Sequence, residues 1–238
     1  MPDGRAVFCL PRFFCGGRIE NMNKEKIIQK VEDYIKKTLR NEPTGHDWWH
    51  AWRVWKVAKE IAKKEGGDLF IIEVAALLHD IADWKFYGGD IKAGSGKAKT
   101  LLKNLGVDDK SIKHICYIID NVSFKGAEVK NKIKTKEGKI VQDADRLDVI
   151  GAIGIARTFA YGGFKGREIY NPAIKPKLHK SFKEYKENKS SSINHFYEKL
   201  LLLKDRLNTK TAKKIAQKRH EFLKNYLKQF FKEWAAKL

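Results

Sequence analysis

Five apolar residues lead directly into a histidine and an aspartate in the stretch Val74-Ala75-Ala76-Leu77-Leu78-His79-Asp80. Such an apolar run is typical of the protein interior, so it should carry His79 and Asp80 into the interior as well. An unpaired carboxylate there would cost on the order of several kcal/mol, so Asp80 needs a cation nearby. Hydrogen bonds from neighbouring groups would also satisfy an isolated His-Asp pair, so other segments must decide between the two interpretations.

Two further segments carry similar residues. His50 lies in Gly45-His46-Asp47-Trp48-Trp49-His50-Ala51-Trp52-Arg53-Val54, and Asp145 lies in Val141-Gln142-Asp143-Ala144-Asp145-Arg146-Leu147-Asp148. With the doublet they supply two imidazoles and two carboxylates, which is what a divalent metal needs to activate water for attack on phosphorus. A mixed nitrogen and oxygen set with open positions suits Mn²⁺, which we favour, or Mg²⁺, Fe²⁺, Co²⁺ or Ni²⁺, better than a closed structural Zn²⁺ site.

These segments, together with Asn194-His195-Phe196-Tyr197-Glu198-Lys199-Leu200, resemble the HD-domain metal-dependent phosphohydrolases over most of residues 22–238. Four residues in the right order are far more specific than one doublet. The resemblance implies four metal ligands: His50, His79, Asp80 and Asp145. It implies that Asp80 lies closest to the metal or bridges two metals. The sequences of these segments are similar to those of a bacterial and archaeal branch of predicted HD-superfamily hydrolases, some of which look like nucleoside triphosphate pyrophosphohydrolases.

The fourth ligand has close competitors, because Asp143 and Asp148 flank Asp145 within three residues. We prefer Asp145 because Ala-Asp-Arg-Leu matches the family segment in which the aspartate after alanine is the ligand. Asp143 is expected at the start of a helix, where its carboxylate would accept backbone amides. Asp83 lies where several HD enzymes carry a carboxylate that handles protons, so it is predicted to be catalytic along with Asp80; the alternative is a solvated aspartate at a helix C-terminus.

Substrate phosphates need cations or donors near the metal. Lys125 is our first candidate, since its loop Asn121-Val122-Ser123-Phe124-Lys125-Gly126 offers a hydroxyl and free amides. Arg146 and His46 are further candidates, and Arg53 is a weaker one. Aromatic residues at helical spacing are more often core than base-stacking groups, which applies to Trp48, Trp49, Trp52 and Trp55. His195 and His220 are expected to pack against apolar helix faces.

Composition is consistent with one soluble enzyme domain. The 238 residues are 42% hydrophobic, and 49 Lys and Arg against 29 Asp and Glu give a net charge of +20. This charge favours an anionic substrate, although most lysines alternate with apolar residues, as on solvated helix faces. Three cysteines without a Cys-x-x-Cys pair suggest a reducing cytoplasm, and no apolar stretch reaches the ~20 residues of a membrane span.

The sequence predicts an all-α, single-domain helical bundle of about eight helices. They run over about 23–39, 47–65, 69–82, 95–105, 109–121, 142–159, 192–207 and 211–236. The HD core would cover about 44–160, with C-terminal helices over 190–236. Residues 130–139 are predicted to be a loop or a short hairpin, and 160–190 a long functional loop. Residues 1–21 are predicted to be an extension ahead of a natural start at Met22.

The predicted function is therefore a metal-dependent phosphohydrolase, most specifically one that cleaves a nucleoside triphosphate to the monophosphate and pyrophosphate. A 5'-nucleotidase, another phosphomonoesterase or a phosphodiesterase would use the same ligands. The alternative of another class is a non-catalytic nucleic-acid-binding module, suggested by the charge of +20. Nucleic acid is the less favoured partner, no membrane partner is expected, and a homodimer is left open.

Overall fold

The computed structural model describes residues 23–40, 42, 45–82, 92–188 and 190–237, and the regular elements in these ranges are all helical. This confirms the all-α class, but the described ranges hold ten α-helices and one 3-10 helix rather than about eight helices. They are α1 (Lys24–Thr38), α2 (Trp48–Glu65), α3 (Leu69–Leu78), α4 (Ala93–Asn104), α5 (Asp109–Val122), α6 (Lys136–Asp148), α7 (Gly151–Phe164), α8 (Phe182–Glu187), α9 (Ser192–Glu198), the 3-10 helix (Leu200–Arg206) and α10 (Lys210–Trp234). Of these, none is both long and apolar enough to cross a membrane.

Helix α3 is the centre of the fold. Every residue from Phe70 to Leu78 is buried, because α1, α2, α5 and α6 all pack around this helix. Glu73 is its one charged residue, and its carboxylate accepts hydrogen bonds from Trp55 Nε1 at 2.7 Å and pairs with Lys59 Nζ at 3.0 Å. The buried carboxylate is thus satisfied, and the rest of the helix contributes only apolar surface to the core.

A second layer packs against one side of this core. Helix α10 contacts α2, α6, α7 and the 3-10 helix, while α9 packs on α7. The start of α10 is fixed by two carboxylates from other helices. Asp143 accepts the backbone amides of Asn208 at 2.8 Å and Thr209 at 2.7 Å, and Glu65 accepts that of Thr211 at 2.8 Å.

The predicted single helix over 142–159 is wrong, because the chain turns at Val149 and Ile150 between α6 and α7. Gly151 has a φ of +80°, a left-handed conformation that favours glycine. A Cβ at Gly154 would lie 2.1 Å from the backbone oxygen of Val149, so this turn needs glycine at a second position. Residues 136–139, predicted as loop or hairpin, instead form the first turn of α6, capped by the hydroxyl of Thr135.

The C-terminal half departs from the prediction in two smaller ways. The predicted helix over 192–207 consists of α9 followed by the 3-10 helix, and the predicted loop over 160–190 contains the end of α7 and the whole of α8. The buried carboxylate of Glu198 holds the chain on both sides of α8. It accepts the backbone amide of Lys177, in the loop before α8, at 3.1 Å and the side-chain amide of Asn188, at the end of α8, at 2.7 Å.

Candidate metal centre and substrate cleft

Three helices bring the four predicted metal ligands together. His50 lies in the first turn of α2, His79 and Asp80 follow the end of α3, and Asp145 lies on α6. The Nε2 atoms of His50 and His79 are 3.1 Å apart. An oxygen of Asp80 lies 3.3 Å and 3.4 Å from these two nitrogens, and an oxygen of Asp145 lies 3.6 Å and 3.8 Å from them.

Both imidazoles are oriented by an acceptor behind them. Nδ1 of His50 lies 2.7 Å from a carboxylate oxygen of Asp148, and Nδ1 of His79 lies 2.7 Å from the carbonyl oxygen of Ala76. Because neither partner can donate, each Nδ1 carries a proton, and in the neutral form of each ring Nε2 presents its lone pair to the cluster. Two lone pairs 3.1 Å apart beside two carboxylates form a site that fits a cation.

The pKa shifts show that positive charge is stabilised in this cluster. Burial and the charge of Arg157 act to lower the pKa of His50, but hydrogen bonds with Asp148 and Asp80 outweigh them and raise it above its ordinary value. Burial acts to raise the pKa of Asp80, yet the charge of His79 and the hydrogen bond from His50 hold it well below its ordinary value. The cluster therefore favours positive charge next to ionised carboxylates.

The three aspartates of α6 face different partners. Asp145 faces the histidine cluster, which is the position that the predicted fourth ligand requires. Asp148 lies behind His50 and accepts further hydrogen bonds from Arg53 at 2.7 Å and 3.0 Å and from Arg157 at 3.0 Å. Asp143 lies in the middle of α6 rather than at its start, so the expected position was wrong, although its carboxylate does accept backbone amides at the start of α10.

The cluster lies at the edge of a cleft with about 1110 Å³ of open space, its mouth included. Asp80 and Asp145 are exposed to this space. Cations and aromatic rings make up much of the remaining lining, which includes His46, Phe124, Arg157, Tyr161, Arg167, Tyr185, His195 and Lys199. A concave space in which charged groups converge on an acidic corner is typical of a small-molecule site.

The predicted substrate residues divide between two places. His46 lines the cleft, with its ring centroid 5.8 Å from that of His50. Lys125 and Arg146 instead line a neighbouring cavity. There, Lys125 Nζ donates to the carbonyl of Asp120 at 3.0 Å, and Arg146 donates to the carbonyl of Arg206. The remaining two predicted residues are Arg53, which is paired with Asp148, and Asp83, which lies outside the described residues.

Sequence reasoning missed the cations that line the cleft. Arg157 and Arg167 lie on and just after α7, where nothing in the local pattern separates them from other surface arginines. Lys199 lies in the Asn194 to Leu200 stretch that carried part of the resemblance, so that stretch was an available signal. His195, expected to pack against apolar residues, lines the cleft instead.

Of the four tryptophans of α2, only two belong to the hydrophobic core. Trp48 and Trp55 are buried, as expected, whereas Trp49 is 58% exposed and Trp52 is 36% exposed. None of the four lines the cleft. His220, partly buried on α10, is also outside the cleft lining.

Comparison with known proteins gives consistent matches. A family model described as the HD domain matches residues 48–150. YpgQ of Bacillus subtilis (strain 168), an uncharacterized protein, is 36% identical over 214 residues, which are 89% of this chain and 96% of YpgQ.

Solved structures agree over the same length. An HD-superfamily hydrolase from Bacillus thuringiensis is 45% identical with a TM-score of 0.68, over 90% of this chain and 100% of that chain. The crystal structure of Bacillus subtilis YpgQ in complex with ADP is 34% identical with a TM-score of 0.65, over 87% of this chain and 97% of that chain.

Proposed function

The chain belongs to the HD-domain superfamily of metal-dependent phosphohydrolases, and on this premise we propose that its substrate is a nucleotide. We propose specifically that it cleaves a nucleoside triphosphate to the monophosphate and pyrophosphate. The observation that carries the proposal is the pair of Nε2 atoms and carboxylates at the edge of a cleft lined by Arg157, Arg167 and Lys199. The ADP complex of YpgQ supports a nucleotide.

The proposed metal ligands are His50, His79, Asp80 and Asp145. The donor set fits a divalent cation, because both imidazoles have their Nδ1 atoms engaged and their Nε2 atoms directed at two carboxylates. We favour Mn²⁺, since mixed nitrogen and oxygen ligands suit it. When bound, such an ion supplies Lewis acidity, which acidifies water and offsets negative charge on phosphate oxygens.

The cations of the cleft have two tasks in this proposal. Arg157, Arg167 and Lys199 bind the phosphate chain and neutralise charge that develops during cleavage. Lys199 is held in place by aromatic faces, with Nζ 5.5 Å from the ring centroid of Phe124 and 5.9 Å from that of Tyr185. These rings, with Tyr161, offer surfaces on which a base can stack.

Proton transfer is assigned to carboxylates. Asp148 keeps the proton on Nδ1 of His50, so that Nε2 stays a ligand. Asp83 is proposed to orient the attacking water or to protonate the leaving group, a role worth roughly 10²–10⁴ in rate. His46 is proposed to contact the substrate from the wall of the cleft.

The test is product analysis with Mn²⁺ across a panel of ribo- and deoxyribonucleotides. Wild type should release pyrophosphate and monophosphate, while the double variant His79→Ala/Asp80→Ala should release neither. His220→Ala is a matched control, because it removes a histidine outside the cleft lining and should keep activity. Orthophosphate as the only product would replace the proposal by a nucleotidase, and cleavage of diesters alone by a phosphodiesterase.

Family membership decides between an enzyme and a non-catalytic binding module in favour of the enzyme. Polynucleotide binding and a homodimer stay predictions. Salt-sensitive polynucleotide binding that survives His79→Ala/Asp80→Ala would assign the charge of +20 a role separate from catalysis.

A further inference from the structure

A second cavity adjoins the substrate cleft, and Ser123 and Phe124 line both. Its described lining includes no carboxylate but does include five cationic side chains: Lys125, Lys130, Lys132, Arg146 and Arg206. Cations gathered in one concavity repel one another, and the low-dielectric walls strengthen that repulsion. The cavity is therefore suited to an anion.

Arg146 is the buried wall of this cavity, with 6% of its surface exposed. Its Nη1 donates to the backbone carbonyl of Arg206, but its Nε is buried and has no hydrogen-bond partner in the described part of the chain. Buried guanidinium groups normally have their donors satisfied. Arg146 thus brings a buried positive charge to the wall of the cavity, and an anion in the cavity would offset that charge.

The other cations differ in how firmly they are held and how exposed they are. Arg206 is held by a hydrogen bond to the carbonyl of Ala127 and lies with its guanidinium carbon 5.7 Å from the ring centroid of Phe124. Lys125 is partly buried, and burial together with the charge of Lys132 lowers its pKa. Lys132 itself is exposed to solvent. Two guanidinium groups held by backbone carbonyls, with three lysine ammonium groups in the same lining, are well suited to a ligand with several phosphate oxygens.

We propose that this second cavity is a binding site for phosphate groups, of the size of inorganic phosphate or pyrophosphate. The site needs no metal, so binding there does not depend on the proposed function. Two sources of the phosphate group share this chemistry. It could belong to the phosphate chain of a nucleotide bound in the adjoining cleft, or to a free inorganic anion such as released pyrophosphate.

Titration calorimetry with pyrophosphate in EDTA tests the site directly. Lys132→Glu should weaken binding about tenfold or more, because it replaces an attractive charge with a repulsive one. Lys134→Glu is the matched control, since it makes the same charge change two residues away at an exposed position outside the cavity lining. Lys125→Gln should weaken binding as well, and circular dichroism should show unchanged helix content in all three variants.

Arg167→Gln separates the cavity from the cleft, because Arg167 lines only the cleft. Pyrophosphate binding in EDTA should keep its affinity in this variant to within about twofold. The proposal would be overturned if Arg167→Gln lost pyrophosphate binding while Lys132→Glu kept it. Equal affinities of Lys132→Glu and Lys134→Glu for pyrophosphate would overturn it as well.

Kinetics then distinguish the two sources. If the site takes the substrate's phosphate chain, Lys132→Glu raises KM for the nucleotide and leaves kcat nearly unchanged. If it takes a free anion, KM is unchanged and inhibition by added pyrophosphate is weakened instead. Failure of the proposed nucleotide hydrolysis would remove these kinetic readouts but would leave the binding test in EDTA intact.

Discussion

Asp148 organises more of the site than any predicted ligand does. Its carboxylate accepts hydrogen bonds from His50, Arg53 and Arg157, and it is almost fully buried. Burial acts to raise the pKa of this carboxyl, but the hydrogen bonds from His50 and Arg53 and the charge of Arg157 hold it well below its ordinary value. Asp148 therefore stays ionised and keeps both a candidate ligand and a cleft cation in position.

Asp148→Asn tests this positioning role. The asparagine amide accepts a hydrogen bond less strongly than the carboxylate, and its NH₂ group can donate to Nδ1. The substitution would therefore rotate the His50 ring or change its tautomer. Mn²⁺ affinity should fall about 10–100-fold, as is usual when a partner behind a ligand is removed. Calorimetric titration of Mn²⁺ into the metal-free protein measures this.

Asp143→Asn is the matched control for that experiment. Asp143 is buried on the same helix but binds the backbone of Asn208 and Thr209. The substitution should lower the free energy of unfolding by about 1–3 kcal/mol, since these amides lose a charged acceptor. Mn²⁺ affinity should stay unchanged, and equal loss of affinity in both variants would contradict the distinction between the two aspartates.

Among the elements, α7 depends on the turn that separates it from α6. This turn places Arg157 beside Asp148 and in the cleft, so its geometry affects the site as well as the fold. Gly154 approaches the Val149 carbonyl so closely that a methyl group has no room. A backbone oxygen cannot rotate away as a side chain does, so one of the two helices must shift.

Gly154→Ala should therefore destabilise the protein by about 1–3 kcal/mol, the usual cost of an extra methyl group in a packed region. Gly163→Ala is the control on the same helix, because nothing lies within 4 Å of its added Cβ. That substitution should be neutral or stabilising by up to about 1 kcal/mol, since alanine favours helix over glycine. Urea unfolding of the two variants gives the comparison, and equal effects would contradict the close approach at Gly154.

The contact between α2 and α10 should show in the pH dependence of stability. The Thr211 backbone amide and hydroxyl donate to Glu65 and lower the pKa of its carboxyl. A carboxyl whose folded pKa is depressed stabilises the fold above its unfolded pKa of about 4.3, and that contribution is lost as the pH falls through the folded pKa. Glu65→Gln should therefore be less stable than wild type at pH 7, and the difference should shrink as the pH falls towards 3.

Urea unfolding of wild type and Glu65→Gln at pH 7, 5, 4 and 3 measures that difference. Glu128→Gln removes the same charge from an exposed position and serves as the control. If the difference in the free energy of unfolding between wild type and Glu65→Gln stays constant with pH, the hydrogen bonds from Thr211 do not favour the ionised carboxylate over the protonated form.

For the whole molecule, the core and the candidate metal site are built from different interactions. The core forms around α3, and the histidines are oriented by Asp148 and Ala76 without any metal ligand bond. We therefore expect EDTA-treated protein to keep its helix content by circular dichroism. Saturating Mn²⁺, at about 100 times its Kd, should add about 2.7 kcal/mol to the free energy of unfolding.

This stabilisation by Mn²⁺ should appear as a rise in the Tm of the wild type. The rise should be absent in His79→Ala/Asp80→Ala, which has lost two of the four proposed ligands. Unfolding of the wild type on removal of metal would contradict the expectation that the site is formed by the fold. A Tm rise of equal size in the double variant would show that Mn²⁺ binds elsewhere.

The sequence by itself determined the helical class and predicted the four side chains that the fold brings into one cluster. Periodicity located most helices, and α1, α2 and α5 begin and end within about one residue of the prediction. The order and local context of His50, His79, Asp80 and Asp145 were specific enough to predict that these side chains lie together. Both kinds of information are local, since helix propensity, capping and short motifs act over a few residues.

Only the tertiary structure decided what surrounds the cluster. Arg157 and Lys199 reach the cleft because α7 and α9 pack against each other and on the core, and Lys125 and Arg146 face a second cavity although they lie close to site residues in sequence. The break between α6 and α7 depends on the left-handed backbone of Gly151 and on the close approach of Gly154 to the Val149 carbonyl, which helical periodicity does not encode. Long-range packing determines which charged side chains meet, because the direction of a side chain is fixed only when its helix is placed.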